Sequence, residues 1–186
     1  MNRSALDKLV SSTGLIVAII LFAAAGGLFY AHNFIHGQVH DQLMQQKITF
    51  PEANSKPLNA LPETDKKAVA QYAGQQLLTG SQAKVFADNY IAVHLKSAGA
   101  GKTYAEVSSA AIANPTDAKL AQQVQTLFRG ETLRGMLLNA YAFDTMAVVA
   151  KYAALFSLAG AVLLTILAVL GFRHAGAAKA PAKKRK

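Results

Sequence analysis

The sequence predicts an all-α membrane protein in which two transmembrane helices flank a helical domain outside the cytoplasm. Three observations predict it. Residues 14–30 and residues 152–172 contain no charged side chain. About 20 apolar residues carry a helix across the hydrocarbon core, and a segment of this kind in lipid must pair its backbone internally as a helix. The residues between the two stretches carry helix caps and breakers but no sustained strand alternation. The net charge of +9 is uneven, with Arg173, Lys179, Lys183, Lys184, Arg185 and Lys186 gathered after the second stretch.

Basic residues beside spans are retained in the cytoplasm, so both tails are expected there. The expected division is a cytoplasmic tail at residues 1–13, a first span at 14–31, an extracytoplasmic helical domain at 32–146, a second span at 147–172 and a basic cytoplasmic tail at 173–186. The localisation this implies is the bacterial plasma membrane. Ala23-Ala24-Ala25 also resembles a signal-peptide cleavage site; the reading preferred here is an uncleaved anchor. The chain has no cysteine, which excludes disulfides and thiolate metal sites.

Residues 32–47 contain one glycine and no proline, and so extend the first helix beyond the span. Residues 50–57 hold two prolines among polar residues and read as a loop. Pro62 suits a first helical turn, with Val69, Tyr72, Ala73 and Leu77 as the apolar face. Thr79-Gly80-Ser81 breaks that helix, and Ser81 is the expected N-cap of the next. Phe86, Tyr90 and Val93 form its face, and Gly99 ends it. Thr103 and Glu106 have capping-box spacing ahead of Tyr104, Val107 and Ala111. Asn114-Pro115 stops that helix. Thr116 opens the last one, with Leu120, Val124 and Leu127 on one side and Gly130 and Gly135 as break points. No stop signal follows before the second span.

Few motifs carry chemistry. Gly99-Ala100-Gly101-Lys102-Thr103 resembles the end of a phosphate loop, but Lys96 stands where the first glycine belongs and no strand precedes it, so a glycine-rich turn is expected. His32, His36 and His40 recur every four residues. Two of them at that spacing can chelate an ion; all three cannot, because eight residues of helix rise about 12 Å. They are the candidate metal ligands, and the expectation is that no metal or cofactor is bound. His94 is expected to be a satisfied domain histidine. Arg129, Glu131 and Arg134 form either a solvated turn or a docking patch for a partner. Ala23 and Gly27 in the first span, and Ala153, Ser157 and Ala161 in the second, are small residues that allow close helix approach. They are the expected interface, whether between the two spans or with a neighbour. Neither span centre carries an ionisable residue, which counts against a pump or channel.

Lys102-Thr103-Tyr104-Ala105-Glu106, Leu133-Arg134-Gly135-Met136-Leu137 and Ala142-Phe143-Asp144-Thr145-Met146-Ala147 resemble segments of a family of small two-span actinobacterial membrane proteins of unknown function. The layout is similar too, including Gln42-Leu43 after the first span. The resemblance covers about 130 residues. Members are often mislabelled as aromatic ring-opening dioxygenase subunits. Extradiol chemistry needs iron held by His and carboxylate ligands, which the His residues here do not supply.

The function expected is therefore that of a non-catalytic accessory, assembly or stabilising subunit of a larger membrane complex. The alternative is a self-assembling two-span scaffold or sensor. An enzyme is disfavoured, because no nucleophile–base pair or complete metal site can be assembled. Other membrane subunits, or a second copy, are the expected partners. Anionic lipid is expected at the basic tail, and nucleic acid is not a partner, since no folded reader accompanies that tail.

Overall fold

The computed structural model describes residues 3–177; the basic residues from Lys179 onward, on which the lipid expectation rests, lie outside them. The described chain is helical. Its elements are α1 (Arg3–Gln46), α2 (Lys56–Asn59), α3 (Glu63–Ala70), α4 (Gly80–Val85), a π-helical segment (Phe86–Ile91), α5 (Ala92–Ala98), α6 (Tyr104–Ala113) and α7 (Ala118–Ala177). The one bridge between extended residues joins Thr49 to Gln76. Both α1 and α7 are long and apolar enough to cross a membrane. A core helix of a soluble protein would be buried, but only 11% of the most apolar 18-residue window of α1, and 17% of that of α7, is buried.

Two compact units result, one from residues 3–34 with 147–177 and the other from Ile35–Met146. In the first, α1 and α7 pack antiparallel. Ser4 Oγ donates to the Ala175 carbonyl at 3.1 Å, and a Cβ on Gly171 would collide with Ser11 Oγ. A Cβ on Gly160 would sit 3.4 Å from Leu21 Cδ1, and His32 Nδ1 lies 2.8 Å from the Ala147 carbonyl. The index thus falls along α7 as it rises along α1. The buried positions of the seam are Ser4, Ser11, Ala18 and Ala25 on α1, and Ala147, Ala154, Ala161, Ala168 and Ala175 on α7. Each set recurs every seventh residue. A strict seven-residue repeat keeps one face inward when two helices wind around each other, and small side chains bring the backbones close.

The second unit encloses a core of large residues, among them Leu43, Phe50, Val69, Leu77, Phe86, Leu95, Val107, Leu127 and Leu137. Phe86 is its aromatic centre, 5.2 Å edge-on from Phe50 and 4.8 Å from Tyr90. The capping box at Thr103 and Glu106 forms as the spacing predicts. Residue Gly99 follows α5, and Asn114 follows α6.

Several local expectations change. The helix from Pro62 ends at Ala70, so Tyr72, Ala73 and Leu77 lie beyond it. Leu77 is nevertheless fully buried, held by its N–H to the Ile48 carbonyl at 2.9 Å. The N-cap of α4 is Thr79, which forms a capping box with Gln82; Ser81 lies inside the first turn. Asp117, not Thr116, caps α7, its carboxylate accepting from the Lys119 and Leu120 amides. Gly130 and Gly135 do not break α7, which runs unbroken to Ala177. Gly130 is a notch instead: a Cβ there would strike the Leu95 side chain.

Candidate functional site

In the second unit, donors from two other elements meet on Asp144. Its carboxylate is 11% exposed and takes two donors. His36 Nδ1 on α1 lies 2.7 Å from Oδ1, and the Gly80 N–H donates to Oδ2 at 3.0 Å. Gly80 opens the continuous helical run of residues 80–98, and Thr79 holds the turn before it. The absence of a side chain at Gly80 is needed here, because a Cβ would collide with Asp144 Cβ. A carboxylate accepting from first-turn amides is also favoured by the helix dipole. One side chain of α7 thereby fixes both α1 and the start of the run.

The candidate metal ligands meet three different partners. Ala147 offers a carbonyl, which only accepts, so His32 carries its proton on Nδ1. His36 pairs with Asp144, and His40 Nδ1 lies 3.3 Å from Asp41 Oδ1. Among the described residues, no group of three His, Cys, Asp or Glu is placed to hold a metal ion. His94 donates from Nδ1 to the Tyr90 carbonyl at 2.7 Å and packs its ring on that tyrosine at 4.4 Å.

Of the two arginines, Arg134 is tied inward. It donates to Asp88 at 3.1 Å, and its other terminal nitrogen is 3.5 Å from Glu131. Lys84 also reaches Asp88, at 2.7 Å. The hydrogen bond from Lys84, seconded by that from Arg134, holds the Asp88 carboxyl below the usual carboxylate range against partial burial, and Asp88 in turn raises Lys84. This network secures the π-helical segment to α7. Arg129 is exposed.

The small residues of the expected interface divide. Ala161 lies in the seam, fully buried, with Ala153 and Ser157 half-buried beside it. Ala23 and Gly27 are exposed, and a Cβ on Gly27 would meet nothing within 4 Å. They are not part of the α1–α7 seam.

The turn resembling a phosphate loop borders an open cleft of about 210 Å³, lined in part by Leu95, Lys96, Lys102, Thr103, Tyr104 and Glu131. It is ill suited to a phosphate. The Thr103 N–H and hydroxyl both donate to the Glu106 carboxylate, at 2.7 and 2.9 Å. Those bonds hold Glu106 below its usual range, and an anion arriving there would meet a negative charge.

Sequence reasoning passed over two features. Asp144 is the last acidic residue of the chain, and a lone carboxylate in an apolar helical stretch is a usable signal. The seven-residue recurrence of serine and alanine was equally open to inspection, but four-residue spacings point elsewhere. No family model, curated protein or solved structure matches this chain.

Proposed function

We propose that this chain is a two-span protein of the bacterial plasma membrane, with both termini cytoplasmic and residues 35–146 outside. In this reading it serves as a non-catalytic accessory, assembly or stabilising subunit of a larger membrane complex. The similarity to the two-span actinobacterial proteins belongs to the same proposal. The observation that carries it is the α1–α7 seam. The two apolar helices bury their small residues against each other and turn Ile16, Ile20, Phe156, Leu163 and Leu170 outward. A pair with an apolar exterior of that kind suits lipid and neighbouring helices. The exposed small face at Ala23 and Gly27 gives a partner helix a place of close approach, with the exposed Arg129 as a polar contact in the other unit.

The test is affinity purification of the full chain in mild detergent, with co-purifying chains identified by mass spectrometry. Gly27→Leu is expected to lower recovery of a different membrane protein, while a disulfide introduced between Leu21→Cys and Gly160→Cys still forms. Loss of self-association alone, with no other chain recovered from either form, would replace the accessory role with a self-assembling scaffold. Labelling of cysteines placed at Ser81 and Ala5 from the same side of the membrane would end the two-span reading.

A further inference from the structure

Building on the two-span reading, we infer that Lys151 binds the headgroup phosphate of an anionic phospholipid, with Tyr30 and Tyr152 set in the same headgroup layer. Lys151 lies one turn inside the span expected at 147–172 and is exposed. Its neighbours one turn away on α7 are Ala147, Val148, Ala154 and Leu155, all apolar. Among the described residues it makes no hydrogen bond or ion pair. The nearest acidic residue of α7, Asp144, is seven positions earlier, about 10 Å along the axis, and is engaged by His36 and Gly80. An ammonium left unpaired in hydrocarbon is costly. A lysine avoids that cost by laying its apolar stem along the helix and placing its charge among headgroups. Phosphatidylcholine carries its own cation beside the phosphate, so a lipid of net negative charge is the better match.

Two intervals mark where the headgroups lie. Lys8 and Tyr30 on α1 are separated by 22 positions with no charged side chain between them, and so are Lys151 and Arg173 on α7. Each interval rises about 33 Å, against a hydrocarbon core of about 30 Å. The contacts of Ser4 with Ala175 and of His32 with Ala147 put Lys8 and Arg173 at one end of the pair, and Tyr30 and Lys151 at the other. The two helices, counted separately, reach the same two boundaries. The end with Lys151 also carries the aromatic side chains of an interface. Tyr30, Phe34 and Tyr152 are 72%, 56% and 57% exposed, and the Tyr30 and Phe34 rings stack at 6.2 Å. Tyrosine suits that depth, because its ring is apolar and its hydroxyl seeks water. Residues 3–13 and 165–177, at the opposite end, include no tyrosine.

The chain has no tryptophan, so a single introduced one reports depth and lipid contact. Full-length Tyr152→Trp and Leu163→Trp proteins are reconstituted in vesicles of equal parts phosphatidylcholine and phosphatidylglycerol, with one lipid brominated at a time. Bromines near the headgroup end of the acyl chain should quench Tyr152→Trp best, and bromines at its far end Leu163→Trp. Phosphatidylglycerol should be enriched around Tyr152→Trp by about five-fold, the factor equivalent to about 1 kcal/mol per basic residue at an anionic surface. Adding Lys151→Gln should abolish the enrichment, and Lys151→Arg should keep it. Enrichment that survives Lys151→Gln, or its absence from the Tyr152→Trp protein, overturns the lipid site. So does loss of a co-purifying membrane protein on Lys151→Gln, which would assign the ammonium to an acidic side chain of a partner. Failure of bromines at any depth to quench Leu163→Trp would instead sink the two-span reading itself.

Discussion

The two units of this chain are built on opposite interiors. The helix pair buries serine and alanine and shows isoleucine, leucine and phenylalanine to its surroundings. The unit of residues 35–146 buries leucine, valine and phenylalanine and keeps nearly all its charges at or near the surface. In water, transfer of large apolar side chains inward drives folding. In lipid that drive is absent between helices, and close backbone contact replaces it. On the proposed reading, with the helix pair in lipid, the contrast teaches that hydrophobicity alone does not say which side chains form an interior; the surrounding solvent does. One consequence is that the same kind of substitution has opposite effects in the two places.

The largest effect is expected at Phe86, where truncation to alanine opens the aromatic centre of the second unit. Loss of a buried phenylalanine costs about 3–5 kcal/mol. A lower melting temperature for the tryptic resistance of residues 35–146 should report it, while the Leu21→Cys/Gly160→Cys disulfide still forms. Failure of that disulfide would show that the two interiors are not independent.

Next comes Ala161→Leu, which adds bulk to a fully buried seam position. Overpacking costs about 1–3 kcal/mol, and the same cysteine pair should crosslink poorly. Stabilisation by the larger side chain, as in a core short of volume, would contradict the close-packed seam. The replacement Gly27→Leu on the opposite side of α1 serves as its control and should leave crosslinking unchanged.

A smaller effect is expected from Thr103→Ala, which removes the N-cap of α6. Such losses cost about 1 kcal/mol, read as faster amide exchange at Glu106 and Val107. The smallest is a response to acid. Glu106 is held below its ordinary value of 4.5 by the Thr103 amide and hydroxyl. A carboxyl lowered by folding contributes stability that is complete above its unfolded value and is lost as pH falls through the lower folded one. Protection of the α6 first turn should therefore persist at pH 5 and decline as the pH falls below the ordinary value of 4.5. In Glu106→Gln that decline should disappear; its persistence would assign the acid response to another group.

How much of this was legible varies with the range of the signal. The Thr103–Glu106 box and the stops at Gly99 and Asn114 were readable, because each acts within four residues. The Ser81 assignment failed by two residues, since Thr79 and Gln82 satisfy the same capping rule and the chain takes the better pair. Gly130 reads locally as a helix breaker, yet it serves as a notch for Leu95, some 35 residues away. Nothing near Leu77 announces that it is buried from a loop, because the Ile48 carbonyl that holds its N–H comes from a distant strand of chain. The site is less legible still. Asp144 stands out in sequence as an isolated acid, but neither His36 nor Gly80 can be assigned to it from spacing.

The sequence by itself determined two helices of membrane-spanning length and apolarity, a helical middle, the absence of cysteine chemistry and some of the helix ends. These follow from composition and from backbone hydrogen bonding over a single turn, which need no knowledge of neighbours. Only the tertiary structure decided which small residues face inward, turning Ala18, Ala25, Ala154 and Ala168 into a seam while Ala23 and Gly27 stay exposed. It also decided that one carboxylate on α7 joins a histidine 108 positions earlier to an amide 64 positions earlier. Both outcomes depend on the azimuth of one helix against another. A turn of 100° per residue leaves that azimuth open until a partner packs against it.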